Sequence, residues 1–141
     1  IDKLGRKPLL IGGVIGMIVS LTSIAIAFYM KKYEGYLIFF LILTYIASFS
    51  ASVGPVGWVL LSEIFPNKLR SKAMSISIVS LWLANFLLIL VFPVILNRFG
   101  GATAFLFFDT MCVLLLLFTI FRLPETKGKS LEELEKILVK R

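Results

Sequence analysis

Four stretches of this chain, residues 8–30, 33–67, 73–97 and 99–121, contain neither lysine nor arginine. Each holds a run of about 20 largely apolar residues, enough for an α-helix to cross the hydrocarbon core of a bilayer. Lipid offers no partner to a backbone N–H or C=O, so runs of this length fold as helices that satisfy those groups internally. The expected fold class is an all-α membrane protein, with four transmembrane helices and short turns forming an antiparallel bundle over residues 8–123. The spans are placed at 8–30, 36–61, 73–96 and 101–122, the second stopping at Leu61 because Glu63 and Pro66 mark a polar end. Residues 1–7 read as a loop and residues 124–141 as a tail.

Composition limits what such a bundle can do. The 141 residues are 59% hydrophobic, and the charges sit in short clusters between the apolar runs. There is no histidine to act as a base or metal ligand, and the single Cys112 can form neither an internal disulfide nor a cysteine metal site alone. Cys112 lies in an apolar run, where a free cysteine behaves as a small packing residue. Neither enzymatic chemistry nor a cofactor is expected.

The formal charge of +7 follows topology rather than nucleic-acid binding. Lys3, Arg6 and Lys7 precede the first span; Lys68, Arg70 and Lys72 separate the second and third; Arg122, Lys127, Lys129, Lys136, Lys140 and Arg141 follow the fourth. All three segments fall on one side, which the positive-inside bias makes cytoplasmic, while the opposite turns hold only Lys31, Lys32 and Arg98. Both termini are expected inside. The chain opens on Ile1 without a methionine or signal peptide and reads as a piece of a longer protein.

The second span carries the most informative run. It meets Gly54-Pro55, where a helix loses backbone hydrogen bonds that neighbours or a water-lined cavity must replace, and it continues through Trp58 to a polar exit. That pattern suits a pathway better than an anchor. Thr44, Ser48 and Ser52 form a weakly polar stripe leading to the break, and in the first span Gly12, Gly16 and Ser20 form a small-residue stripe suited to close helix packing. In the third span Trp82 and Asn85 share a face, and Pro93 is expected to bend the helix. A flat ring beside an amide suits a polyhydroxylated ligand, although interhelical amide bonding serves equally as membrane glue. Asp109 is an ionisable group near the middle of the fourth span, and such a group should face protein or water rather than lipid. In the tail, Ser130 and Glu133 have capping-box spacing, and Leu131, Leu134 and Leu138 share one face of a short amphipathic helix.

Three motifs resemble, in order and spacing, the sugar porter family of the major facilitator superfamily. Asp2-Lys3-Leu4-Gly5-Arg6-Lys7 resembles the loop between its eighth and ninth helices, Gly54 to Arg70 its tenth helix and cytoplasmic exit, and Pro124-Glu125-Thr126-Lys127-Gly128 the signature after its twelfth. The general look is that of bacterial sugar–proton symporters and facilitative glucose transporters. The resemblance implies that the chain supplies helices nine to twelve, within the C-terminal six-helix half of a twelve-helix transporter. It also implies a monosaccharide substrate bound near the midplane and moved by alternating access, with or without a coupled proton. The remaining helices of the same transporter and the lipid bilayer would be its partners, in the plasma membrane.

Residue by residue, the resemblance makes Gly54, Trp58, Trp82 and Asn85 the substrate-binding positions, and it makes Arg6, Glu63, Arg70 and Glu125 a cytoplasmic network that closes the inner face. Leu81 stands where the family's xylose-binding members carry glutamine. Asp109 stands where the family usually has a small or apolar residue, so it is expected to serve helix packing or hydrogen bonding. Two alternatives stay open: a transporter of another polar solute such as a polyol, and a sugar sensor that moves no solute.

Overall fold

The computed structural model describes residues 5–31, 36–65 and 69–123, apart from the side chains of residues 62–64. Among these residues the regular structure consists of α1 (Arg6–Tyr29), α2 (Tyr36–Ala51), α3 (Val53–Ile64) and α4 (Arg70–Phe121). Of the loop expected over residues 1–7, Arg6 and Lys7 are already in α1 and residues 1–4 lie outside the described residues, as does the tail from residue 124 onward with its expected amphipathic helix.

Gly5 starts α1: its φ of 89° and ψ of 155° are open to glycine and strained for other residues. Pro8 follows in the first turn, where the backbone N–H groups have no intrahelical partner to lose. The helix stops where Lys31 turns to a left-handed φ of 55°. There the Met30 and Lys31 N–H groups donate to the Ile26 and Phe28 carbonyls at 2.9 and 3.1 Å.

Pro55 dictates where the second span breaks. Its ring clashes with the carbonyl of the residue four earlier, Ala51, and its nitrogen has no hydrogen to donate. Accordingly α2 ends at Ala51, and Ser52 leaves helical space at φ −132° and ψ −82°. The Val56 N–H then donates to the Ser52 carbonyl at 3.0 Å and α3 is under way. The break thus falls upstream of the Gly54-Pro55 pair that causes it. At the far end Phe65 is extended, with φ −91° and ψ 132°, the conformation a residue before proline prefers.

The 52 residues of α4 amount to about 78 Å of helix, far more than one bilayer crossing requires. Gly100, with φ 83° and ψ 167°, is its one internal residue outside helical dihedrals and divides it into an N-terminal arm (70–99) and a C-terminal arm (101–121). Phe92 on the first arm meets Phe105 and Phe108 on the second, with ring centroids 6.4 and 5.7 Å apart, so the chain doubles back at this glycine. Pro93 keeps helical dihedrals, and the reversal belongs to Gly100. The third expected span therefore runs on to Phe99, and its turn contracts to a single residue.

The other elements pack on α1, which runs antiparallel to α2 and to the C-terminal arm of α4. Against α2, a Cβ on Gly13 would collide with the Ser52 side chain and lie 3.0 Å from the Ser48 carbonyl oxygen. One on Gly16 would lie 2.5 Å from Ser48 Oγ. Gly12 has open space around it: a Cβ there would meet nothing within 4 Å. Against the C-terminal arm, Lys7 Nζ donates to the Ile120 carbonyl at 2.8 Å and Phe28 stacks on Phe105 at 5.3 Å.

Two apolar clusters fill these seams: Leu10, Val56, Leu60 and Leu123 at one end, and Val14, Met17, Leu21 and Cys112 in the middle, where Tyr45 and Phe108 also pack. Helical hydroxyls are largely self-satisfied. Ser20, Ser23, Thr44, Ser52, Ser75, Ser77, Ser80, Thr110 and Thr119 each donate to the carbonyl four residues earlier, at 2.6–2.9 Å. By contrast residues 81–90 of the N-terminal arm are exposed on every side, and a helix that is apolar all round belongs in lipid or against further helices.

Candidate functional site

The broken helix opens a groove of about 400 Å³ lined by Phe49, Val53, Gly54, Gly57, Trp58, Leu61 and Leu81. Its floor is glycine because a side chain there would occupy the space. A Cβ on Gly57 would meet nothing within 4 Å, and one on Gly54 would only touch Phe49, at 3.4 Å from its carbonyl oxygen and 3.5 Å from its ring. Neither glycine is needed for its backbone, so what they contribute is room. Trp58 is half-exposed on the wall, with an indole face for stacking and one N–H donor.

A second groove, of about 680 Å³, lies beside the first and is lined by Tyr45, Phe49, Asn85, Leu88, Ile89, Phe92, Pro93 and Phe108. Phe49 belongs to both. Residues with polar side-chain groups on these walls are few, namely Asn85, Tyr45 and Trp58. Apolar walls with a few oriented donors and acceptors are what a small polar ligand with C–H faces requires.

Of the four substrate positions expected from sequence, the structure brings Gly54 and Trp58 together and puts Asn85 in the adjoining groove. Trp82 lines neither and is 60% exposed. Residues 81, 85, 88, 89 and 92 recur with helical period and form the stripe that faces the grooves, which leaves Trp82 on its flank. Most other wall residues escaped the sequence reading, among them Phe49, Tyr45 and Phe108. The spacing of Leu81, Asn85, Leu88 and Phe92 could have revealed the facing stripe, but nothing local marks Phe49, which becomes a wall only because the chain breaks at Ser52.

At the end of the bundle where α1 begins and α4 finishes, Arg6, Lys7 and Arg122 gather. Arg6 and Arg70 are each partly buried with a buried Nε, and Arg6 is engaged with neighbours. Of the other two expected network members, Glu63 lies in the last turn of α3 with its side chain outside the described set, and Glu125 lies outside the described residues.

The profile of the sugar (and other) transporter family matches residues 1–138. The chain belongs to this family. Among relatives of this family member, the arabinose–proton symporter of Bacillus subtilis (strain 168) is 41% identical over 140 residues, 99% of this chain and 30% of that protein. The xylose transporter XylE of E. coli, solved in an inward open conformation, superposes with a TM-score of 0.90 at 44% identity, covering 97% of this chain and 31% of XylE. A structure of XylE described as a major facilitator superfamily proton:xylose symporter bound to 6-bromo-6-deoxy-D-glucose superposes at 0.87 with 43% identity, over 96% of this chain and 30% of that one. The chain spans about 30% of the length of these relatives. Its fold is that of a helical segment of a major facilitator transporter, an integral, multi-pass membrane protein.

Proposed function

We propose that this chain forms one wall of a monosaccharide transporter that works by alternating access, coupled to a proton as its relatives are named to be. The observation that carries the reading is the pair of grooves divided by Phe49. Trp58 and the glycine-lined break form one side, Asn85 and Tyr45 the other, and both volumes fall within the roughly 300–1,000 Å³ usual for small-molecule sites. A pyranose or furanose has C–H faces that stack on Trp58 and Phe49, and hydroxyls that Asn85, Tyr45 and the indole N–H can bond. Gly54, Trp58 and Asn85 are the substrate contacts in this reading, with Trp82 a further contact from the flank of the stripe.

The four spans cross at α1, at α2 with α3, and at the two arms of α4. The end carrying Arg6, Arg70 and Arg122 faces the cytoplasm of a plasma membrane, by the inside-positive bias. Arg6, Glu63, Arg70 and Glu125 act there as a closing network. Exposed ion pairs contribute about 0–1 kcal/mol each, so several together supply the few kcal/mol that shift a two-state equilibrium. The test is uptake by the full-length protein in vesicles against a panel of pentoses, hexoses and polyols, with and without a pH gradient. Saturable monosaccharide uptake that accumulates with an inward proton gradient is expected. Polyol uptake alone, or binding without uptake, would overturn the reading.

A further inference from the structure

Thr22 on α1 and Asp109 on the C-terminal arm of α4 form a side-chain contact between elements 87 residues apart, with Thr22 Oγ1 donating to Asp109 Oδ2 at 2.8 Å. The neighbouring hydroxyls on both helices behave differently: Ser20, Ser23, Thr110 and Thr119 all bond back to their own helix. Thr22 is turned across the seam. The second carboxyl oxygen, Oδ1, is buried without a hydrogen-bond partner among the described residues. Described lysines and arginines lie only near the helix ends: Arg6, Lys7, Arg70, Lys72 and Arg122 at one, Lys31 and Arg98 at the other. Asp109 therefore has a hydroxyl, not a cation, as its partner in the span, and neither groove includes it.

We infer that Thr22 and Asp109 form an interhelical clamp that fixes the register of α1 against the C-terminal arm, and that Asp109 is a positioning residue there. Ties across the seam include Lys7 to Ile120, Thr22 to Asp109 and Phe28 to Phe105. A lysine reaching a carbonyl and two stacked rings tolerate sliding, whereas a hydroxyl–carboxyl bond lost by a shift of about one residue rise, 1.5 Å, does not. The opposite face of α1 seats Ser52 against Gly13, so the register of this seam sets where the break in the second span sits relative to the C-terminal arm. Asp109 thereby acts on the grooves at a distance, through α1.

The test is a double-mutant cycle in the full-length protein, read by denaturant unfolding, with Thr22→Val, Asp109→Leu, their combination and Asp109→Asn. Each of the first two should move the unfolding equilibrium roughly three- to tenfold toward the unfolded state, the size of interhelical polar bonds in membranes. The combination should be no worse than the poorer single variant. Asp109→Asn, whose amide oxygen still accepts from Thr22, should restore stability. Register is read separately by oxidative cross-linking of Phe28→Cys with Gly101→Cys, positions in contact across the seam, in a Cys112→Ser background. Cross-linking should fall with Asp109→Leu and return with Asp109→Asn. Additive losses, unchanged cross-linking, or an Asn variant as impaired as Leu would overturn the clamp. None of these readouts depends on sugar transport, so a failed clamp and a failed transport assignment are distinguishable.

Discussion

Replacing Gly13 by alanine adds one methyl at the tightest approach between α1 and α2. The new Cβ would collide with both Cβ and Oγ of Ser52 and lie 3.0 Å from the Ser48 carbonyl oxygen. Ser52 has little freedom to retreat, since it is 1% exposed and its Oγ donates to the Ser48 carbonyl at 2.6 Å. Overpacking of this kind costs about 1–3 kcal/mol, and displacing the hydroxyl forfeits a further ~0.5–1.5 kcal/mol. Alanine regains up to about 1 kcal/mol through its better helix propensity. The balance is a loss of roughly 2 kcal/mol, about a 30-fold shift in the unfolding constant. Gly12→Ala is the control, because the added Cβ meets nothing within 4 Å and only the propensity gain remains. Adding Ser52→Gly to Gly13→Ala removes the colliding atoms and should recover most of the loss, leaving only the Ser48 carbonyl contact. Denaturant unfolding of the full-length protein in detergent reads all four. A Gly13→Ala protein as stable as the parent, or a Gly12→Ala protein equally destabilised, would refute the packing argument.

Trp58→Ala should weaken sugar binding at least tenfold, measured by direct binding, while the protein still inserts and folds; unchanged affinity would remove Trp58 from the site. Glu63→Gln should raise cytoplasmic labelling of cysteines placed along the grooves, because in the proposed closing network the loss of one acid favours the inward-open population; labelling at the parent level would count against that network. Gly100→Ala should destabilise by about 1–3 kcal/mol, since φ 83° with ψ 167° is a region nearly exclusive to glycine, whereas Gly57→Ala, whose added Cβ meets nothing within 4 Å, should not destabilise and should gain up to about 1 kcal/mol of helix propensity.

The helices were legible because hydropathy fixes them: charges stop at Glu34 and resume at Glu63, and the chain can only span between. That the second span breaks was also legible, because proline's missing N–H is a local fact. Its position at Ser52 follows from the reach of the proline ring back to Ala51. Side-chain facing was harder. Trp82 and Asn85 share a face by spacing, yet a face is about 100° wide, and which edge of it turns inward depends on how Gly100 folds the two arms together. The same ambiguity separates Gly12 from Gly13: a Cβ on Gly13 would strike Ser52, whereas one on Gly12 would meet nothing within 4 Å. Phe49 was invisible for a different reason: an aromatic in an apolar run carries no mark until the break lays Gly54 beside its ring.

The hydroxyls that bond back onto their own helices change the thermodynamics of getting this chain into a membrane. A free hydroxyl moved from water into hydrocarbon loses its hydration with nothing in return. Ser75, Ser77 and Ser80, close together on the N-terminal arm, instead carry their acceptors with them at 2.8–2.9 Å, independent of any neighbouring helix. Their desolvation is compensated from the moment the helix forms, before the bundle assembles. Insertion of that arm is therefore more favourable than its residue-by-residue hydropathy suggests, and its serines cross the bilayer much as alanines would.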